Sequence, residues 1–189
     1  MICTDIDLNC TKCRLSERRL HVVPGNGSCK SRIVFIGEAP GKDEDELGKP
    51  FVGRAGRILD DALDKAGRKR ASVYVGNIVK CRPPGNRKPR QDEVATCTCL
   101  YLDSEIRAIR PAVICAMGQT AADHFLPSKA KMSDRVGRDW EMLIDGMEVR
   151  FIVAYHPAAC LYQRRCLPSF ERSIRRALEL SGKAKRPAR

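Results

Sequence analysis

Four cysteines of this chain are spaced as metal ligands. Cys10 and Cys13 form a C-x-x-C pair near the N-terminus, and Cys81 and Cys97 form a wider pair much further along. Four thiolates from two distant segments suit a [4Fe–4S] cluster or a tetrahedral zinc ion. Cys99 lies two residues after Cys97 and is an alternative fourth ligand. The spacing therefore predicts a metal centre and leaves the metal open between iron and zinc.

The other cysteines show no such pattern. Cys115 lies in an apolar stretch, which predicts a small core residue. Ten cysteines in 189 residues stay below the roughly 8–10% that marks a disulfide scaffold. Without a secretion signal, clustered cysteines indicate metal binding before disulfides. The remaining ones have no partner at metal-ligand spacing and receive no role: Cys3, Cys29, Cys160 and Cys166.

Three further motifs follow short apolar runs. The first spans residues 37–53 and reads GEAPGKDEDELGKPFVG, the second spans 76–84 and reads GNIVKCRPP, and the third is His156-Pro-Ala-Ala. Each begins where the preceding apolar run ends. Polar and aromatic side chains in these positions could form a binding site if the fold brings the three motifs together.

Strands and helices alternate along the chain. Apolar runs predict strands over 32–36, 73–77 and 112–117, and a hairpin over 142–154 that turns at Asp145-Gly146 and adds its second arm as a fourth strand. Helical spacing predicts helices over 55–66, 91–109, 118–126 and 169–180. The alternation predicts a four-stranded parallel sheet with helices on both faces. Ligands bind beyond the carboxyl ends of such strands, where the three motifs should meet.

Charge indicates a polyanionic partner. Lys and Arg total 35 against 23 Asp and Glu, a net charge of +12, and a chain this basic is a candidate for nucleic-acid binding. The length predicts one domain over 1–181, followed by a basic disordered tail over 182–189. No run of about 18 apolar residues is present, and the acidic N-terminus lacks a signal pattern, so we expect neither membrane insertion nor secretion.

The three motifs and the cysteine pattern closely resemble those of family 4 uracil-DNA glycosylases, which are iron–sulfur enzymes of archaea and thermophilic bacteria. The similarity extends from Cys10 to about Leu180. It implies a three-layer α/β/α sandwich around a four-stranded parallel sheet. It also implies a [4Fe–4S] cluster on the four cysteines Cys10, Cys13, Cys81 and Cys97, and excision of uracil from DNA.

The resemblance implies a pocket for a flipped uracil. Phe51 would stack on the base, and the Asn77 amide would donate to uracil O4 and accept from N3–H. His156 would donate to O2, where negative charge develops as the bond breaks. Glu38, Ala39 and Pro40 are expected to line the pocket.

Catalysis by this chain must differ from that of better-known relatives in the superfamily. Those relatives carry a water-positioning aspartate where Ala39 stands here. Hydrolysis should therefore depend on stabilising the uracil anion through His156 and on water held by backbone groups or a Glu. Glu44 is the expected second catalytic residue, near the pocket wall.

The basic loop after Cys81 is expected to contact DNA phosphates. After the third motif the family usually has Leu-Leu-Arg, whereas this chain has Cys160-Leu161-Tyr162. We expect Leu161 to wedge into the base stack, with Tyr162 behind it. The expected DNA contacts are Arg82, Arg87, Lys88, Leu161 and Arg164.

Two other functions compete. A non-catalytic metal-cluster module would need the charge and the cysteines but not Phe51, Asn77 and His156 together. A related family binds uracil covalently through a His in the basic loop, but this chain has no His between Asn77 and Cys97. We expect a monomer that acts on uracil-containing DNA, single- or double-stranded, in a prokaryotic cytoplasm at the nucleoid. The sequence does not identify a replication-clamp partner.

Overall fold

The computed structural model describes residues 3–184 and places six strands in one sheet. The strands are β1 (Asn26–Gly27), β2 (Ile33–Gly37), β3 (Tyr74–Asn77), β4 (Val113–Met117), β5 (Asp139–Ile144) and β6 (Met147–Ala154). Their order is β1-β3-β2-β4-β6-β5, and the central β3, β2, β4 and β6 are parallel. The four predicted parallel strands are therefore confirmed.

The sheet also has two antiparallel edge strands, which corrects the expected four-stranded count. β1 pairs with β3, and β5 pairs with β6. The hairpin prediction is confirmed, but its first arm begins at Asp139 and joins the same sheet. Asp145 and Gly146 have φ of 48° and 72°, the positive pair that a tight hairpin turn requires.

Helices cover both faces of the sheet. They are α1 (Lys42–Leu47), α2 (Arg54–Lys65), α3 (Gln91–Cys97), α4 (Asp103–Ile109), α5 (Gln119–Phe125), α6 (Met132–Arg135), α7 (Pro157–Tyr162) and α8 (Leu167–Lys183). The helix predicted over 91–109 exists as α3 and α4, joined by a π-helical turn at Thr98–Leu102. The short helices α1, α6 and α7 were not predicted.

The strands alternate their side chains between two apolar layers. Ile33 and Phe35 pack with residues of α2 and α8, whereas Val34 and Ile36 pack with residues of α4 and α5. Both faces of β2 are buried, as expected of a parallel strand covered by helices on each side. The three-layer α/β/α architecture is thereby confirmed.

The C-terminal helix is longer than predicted. Since α8 extends through Lys183, residues 182 and 183 are helical and do not belong to a disordered tail. Residues 185–189 of the predicted tail lie outside the described residues. Within residues 3–184, no helix combines the length and apolar character needed to cross a membrane.

Candidate active site and cysteine cavity

A pocket of about 500 Å³ lies at the carboxyl ends of the parallel strands. β3 lies on one edge of β2 and β4 lies on its other edge, so the direction in which strands are added reverses at β2. In parallel sheets a crevice forms between the two strands where this reversal occurs, here β2 and β4. The three sequence motifs meet here as expected. All of the predicted pocket residues line it, namely Glu38, Ala39, Pro40, Glu44, Phe51, Asn77 and His156.

Asn77 presents an unpaired acceptor at the base of the pocket. Its side chain is buried, and Oδ1 has no hydrogen-bond partner among residues 3–184. A buried unpaired polar atom costs roughly 1–3 kcal/mol, and this oxygen is free to accept a hydrogen bond from a group that enters the pocket. Gly37 makes room for it, because a Cβ there would lie 2.6 Å from Oδ1 and 2.5 Å from Cζ of Phe51.

Phe51 has an uncommon backbone conformation for a residue with a side chain. Its φ is 55°, and such strain recurs at functional sites. The ring is buried and lies 5.9 Å, centroid to centroid, from the ring of His156. Its backbone packs against Gly56 of α2, where a Cβ would come within 1.9 Å of the Phe51 carbonyl oxygen.

Glu44 maintains the loop that carries Phe51. Its Oε1 accepts hydrogen bonds from the Val52 and Gly53 N–H groups at 3.0 and 2.9 Å, and Oε2 accepts from the Gly41 N–H at 3.1 Å. The carboxylate thus joins the start of α1 to the start of α2. Glu38, the other predicted acid, accepts a hydrogen bond from the Thr120 hydroxyl.

His156 is held as a neutral hydrogen-bond donor. Its Nδ1 accepts from the Ala158 N–H at 3.2 Å at the start of α7. Burial lowers the pKa of His156 to about 4, so the ring is uncharged near neutral pH. With Nδ1 acting as an acceptor, the ring proton resides on Nε2. The Gly118 backbone, at φ 95°, closes this wall, because a Cβ there would lie 3.0 Å from Cβ of His156.

The predicted DNA-contact residues divide into two groups. Lys88 and Arg164 are exposed. Arg87 lines the pocket but is engaged by Glu93, to which it donates at 2.8 and 2.6 Å, and Nε of Arg82 donates to Asn86 at 2.8 Å. The guanidinium groups of Arg82 and Arg87 therefore organise the basic loop.

The last turn of α7 carries the residues expected to enter the base stack. Leu161 is half-buried and does not line the pocket, whereas Tyr162 is 85% exposed and does line it. Sequence reasoning placed Tyr162 behind Leu161. The signal that could have reversed this order is the departure from the family's Leu-Leu-Arg, which puts an aromatic ring where a long cation usually stands.

A second, smaller cavity brings together the four predicted metal ligands. Cys10, Cys13, Cys81 and Cys97 line it, whereas Cys99 is exposed and does not. Burial raises the pKa of Cys81 to about 12 and that of Cys97 to about 11. Buried thiols of this kind ionise only when a cation compensates them, as a metal does.

The donor set fits an iron–sulfur cluster. Four thiols are the ligands of [4Fe–4S] clusters. In the described part of the chain, no three His, Cys, Asp or Glu side chains are grouped to hold a single ion. The four thiols therefore fit such a cluster by the chemistry of their donor atoms.

Two unassigned cysteines form a disulfide. Cys3 and Cys29 are bonded across 26 residues of sequence, which joins the N-terminal segment to the turn before β2. No local sequence pattern predicts this disulfide. Cys115 is fully buried in β4, as predicted, and Cys160 and Cys166 are buried free thiols.

Comparison with known proteins identifies the family. Residues 24–179 match the family model described as the uracil DNA glycosylase superfamily. The type-4 uracil-DNA glycosylase of Archaeoglobus fulgidus is 42% identical over 180 residues, which cover 93% of this chain and 90% of that protein. That of Thermotoga maritima is 43% identical over 158 residues, covering 82% and 79%. The chain therefore belongs to the uracil DNA glycosylase superfamily and, within it, to the type-4 uracil-DNA glycosylases.

Proposed function

We propose that this protein excises uracil from DNA by hydrolysing the N-glycosidic bond and leaving an abasic site. The observation that carries the proposal is the buried Oδ1 of Asn77, which is unpaired among residues 3–184 and shares a pocket with Phe51 and His156. An acceptor, an aromatic ring and a neutral donor are the three groups that a flipped uracil needs.

Asn77 would select the base. Its Oδ1 accepts from uracil N3–H, and its amide N–H donates to O4. Cytosine presents an acceptor at N3 and a donor at position 4, so both contacts would be mismatched. Each mismatched buried group costs about 1–3 kcal/mol, which strongly disfavours cytosine.

His156 would stabilise the leaving group. As the bond between C1′ and N1 breaks, negative charge grows on uracil O2, and the Nε2–H of the neutral ring donates to that oxygen. The oxygen of a water molecule bonds to C1′ and keeps one proton, so the sugar gains a hydroxyl. The other water proton goes to solvent, and the departed uracil anion takes up a proton to give neutral uracil. Glu44 would act by placing Phe51 against the base, since its carboxylate is engaged by three backbone N–H groups.

The cysteine cavity would hold a [4Fe–4S] cluster through Cys10, Cys13, Cys81 and Cys97. When bound, such a cluster would supply a structural cross-link between the N-terminal segment and the basic loop. That loop, with the exposed Lys88 and Arg164, would contact phosphates of single- or double-stranded DNA. We propose that a monomer acts on uracil-containing DNA in a prokaryotic cytoplasm, at the nucleoid.

An excision assay tests this function. An end-labelled single-stranded oligonucleotide with one deoxyuridine is incubated with the protein, treated with alkali and separated by size. We expect cleavage only at the uracil and release of free uracil, with none from a cytosine control. Binding without release would contradict the proposal and favour the non-catalytic metal-cluster module.

A further inference from the structure

A buried ion pair lies directly behind Asn77. Lys80 is fully buried, and its Nζ donates to Oε2 of Glu105 at 2.6 Å and to the main-chain oxygen of Asn77 at 2.9 Å. The other carboxylate oxygen of Glu105 accepts from the Gly25 N–H at 3.1 Å and from the Tyr74 hydroxyl at 3.0 Å. The main chain of the base-reading residue is thus part of a closed polar network.

The same lysine contacts the cysteine cavity. The Lys80 N–H donates to Sγ of Cys97 at 3.2 Å, and Lys80 lines the cavity beside Cys81. Its carbonyl accepts from the Val23 N–H at 2.7 Å. Lys80 therefore connects to the pocket through its side chain and to the cavity through its backbone.

The π-helical turn explains how one helix contributes to both contacts. Cys97 ends α3, and Glu105 lies in α4, eight positions further along. In an uninterrupted α-helix, that separation would turn the two side chains about 80° apart. The wider turn at Thr98–Leu102 takes up about one extra residue and brings both side chains to the side that faces Lys80.

Stability alone does not account for this pair. Removing two charges from water costs more than their attraction commonly returns, and neutral replacements of similar volume are often tolerated. A buried pair of this kind is better explained by what it holds in place. Among residues 3–184, the pair reaches the pocket through the hydrogen bond from Lys80 Nζ to the Asn77 carbonyl.

We propose that Lys80 and Glu105 are positioning residues for uracil recognition, holding the main chain of Asn77 and coupling it to the cysteine cavity. This inference rests on the proposed function. It predicts that the pair acts through the Asn77 side chain and contributes little once that side chain is absent.

A double-mutant cycle tests the inference. Lys80→Met combined with Glu105→Gln removes both charges and keeps side-chain volume, and it is made with and without Asn77→Ala. The matched control is Lys65→Met with Glu171→Gln, an exposed ion pair at 2.7 Å. We expect replacement of the buried pair to slow single-turnover excision about 10- to 100-fold when Asn77 is present. In the Asn77→Ala background the same replacement should slow excision less than about twofold. The control should leave excision unchanged in both.

The inference would be overturned if replacing the pair slowed excision by the same factor with and without Asn77→Ala. It would also be overturned if replacing the pair left excision unchanged. If the double variant fails to fold or to retain iron, Lys80→Leu combined with Glu105→Gln completes the same cycle, because it also leaves neither charge buried without its partner. A readout independent of activity is the ¹⁵N resonance of the Asn77 side-chain amide, assigned by its loss in Asn77→Ala. It should shift in the buried-pair variant and not in the control, and an unmoved resonance overturns the positioning role. A parent protein that folds but does not excise uracil instead overturns the proposed function, while the resonance still decides the positioning role.

Discussion

The uracil pocket and the cysteine cavity share the short segment from Asn77 to Cys81, in which Asn77 lines the pocket and Lys80 and Cys81 line the cavity. The pocket holds an unpaired acceptor and a neutral donor. The cavity holds four thiols, of which Cys10, Cys81 and Cys97 are buried and Cys13 is half-buried. Loss of solvation raises the pKa of Cys13, Cys81 and Cys97. The pocket therefore requires hydrogen-bonding groups, and the cavity requires positive charge. The hydrogen-bonding groups of the pocket and the thiols of the cavity therefore indicate different ligand chemistries, which the volumes of the two cavities do not.

The two regions also differ in their support. The pocket is built on four strand ends, where backbone pairing across β3, β2, β4 and β6 sets positions. The cavity is built from the N-terminal segment, the residues after β3 and the end of α3. We therefore expect the cavity to depend on its metal for order and the pocket to depend on the sheet.

Loss of a metal ligand should have the largest effect. Cys97→Ser should reduce bound iron from about four atoms per chain to well below one, because the remaining thiols cannot complete the cluster. Iron analysis and the visible spectrum of the purified protein measure this. Cys99→Ser is the matched control and should retain the iron, since Cys99 is exposed. The reverse outcome would move the fourth ligand to Cys99, and one bound zinc would exclude the cluster.

Loss of the pocket donor should have the next largest effect. His156→Ala should slow single-turnover excision about 10²- to 10³-fold, corresponding to about 2.7–4 kcal/mol for one well-placed donor. DNA affinity should change little, because phosphate contacts dominate it. His156→Asn retains a donor and should recover part of the rate. If His156→Ala excises at the parental rate, the leaving group is stabilised elsewhere in the pocket.

Replacing the donor group of the Asn77 amide by an acceptor should have a smaller effect. Asn77→Asp should slow uracil excision about 10- to 100-fold, because a carboxylate cannot donate to O4 and repels the uracil anion. Cytosine excision should rise from its background, since its amine can donate to the carboxylate. Paired uracil and cytosine substrates measure the ratio. Unchanged uracil excision would mean that the Asn77 amide N–H does not read the base.

Truncating the exposed ring at the pocket rim should affect only duplex DNA. Tyr162→Ala should slow excision from double strands about tenfold, since a stacked aromatic ring is worth about 1–3 kcal/mol. Single strands have no base stack to fill and should be cleaved within about twofold of the parental rate. Leu161→Ala is the control, because Leu161 is half-buried and lies outside the pocket lining. A larger duplex effect from Leu161→Ala would support the prediction that Leu161 is the wedge and contradict the role given to Tyr162.

The smallest effect should be that of pH on the rate. Because the pKa of His156 is lowered to about 4, the donor does not titrate between about pH 6 and 8. Excision should show no step near pH 6.5 that disappears in His156→Asn, and such a step would show a charged donor.

Folding stability, unlike the excision rate, should depend on the titration of His156. The unfolded histidine binds protons first, so its contribution to folding falls as pH drops from about 6.5 toward 4.

Local patterns in the sequence were enough for the parallel strands, the four thiols and the three motifs. Strand and helix periods depend on neighbouring residues, and the carboxyl ends of parallel strands meet at one edge whatever the loops do. The three motifs could therefore be assigned to one pocket from the sequence, and the family resemblance singled out Phe51, Asn77 and His156 within them. The edge strands were less visible, because β1 has only two residues and carries no period.

Tertiary structure alone decided which side chains meet. The Cys3–Cys29 disulfide and the Lys80–Glu105 pair join positions 26 and 25 residues apart, and no local rule links residues at such distances. The exposure of Tyr162 and the burial of Leu161 depend on how α7 packs on its neighbours. The free Oδ1 of Asn77 and the neutral ring of His156 depend on the hydrogen-bond partners nearby. Pairing, burial and protonation are determined by distances between segments, which the order of residues along the chain does not specify.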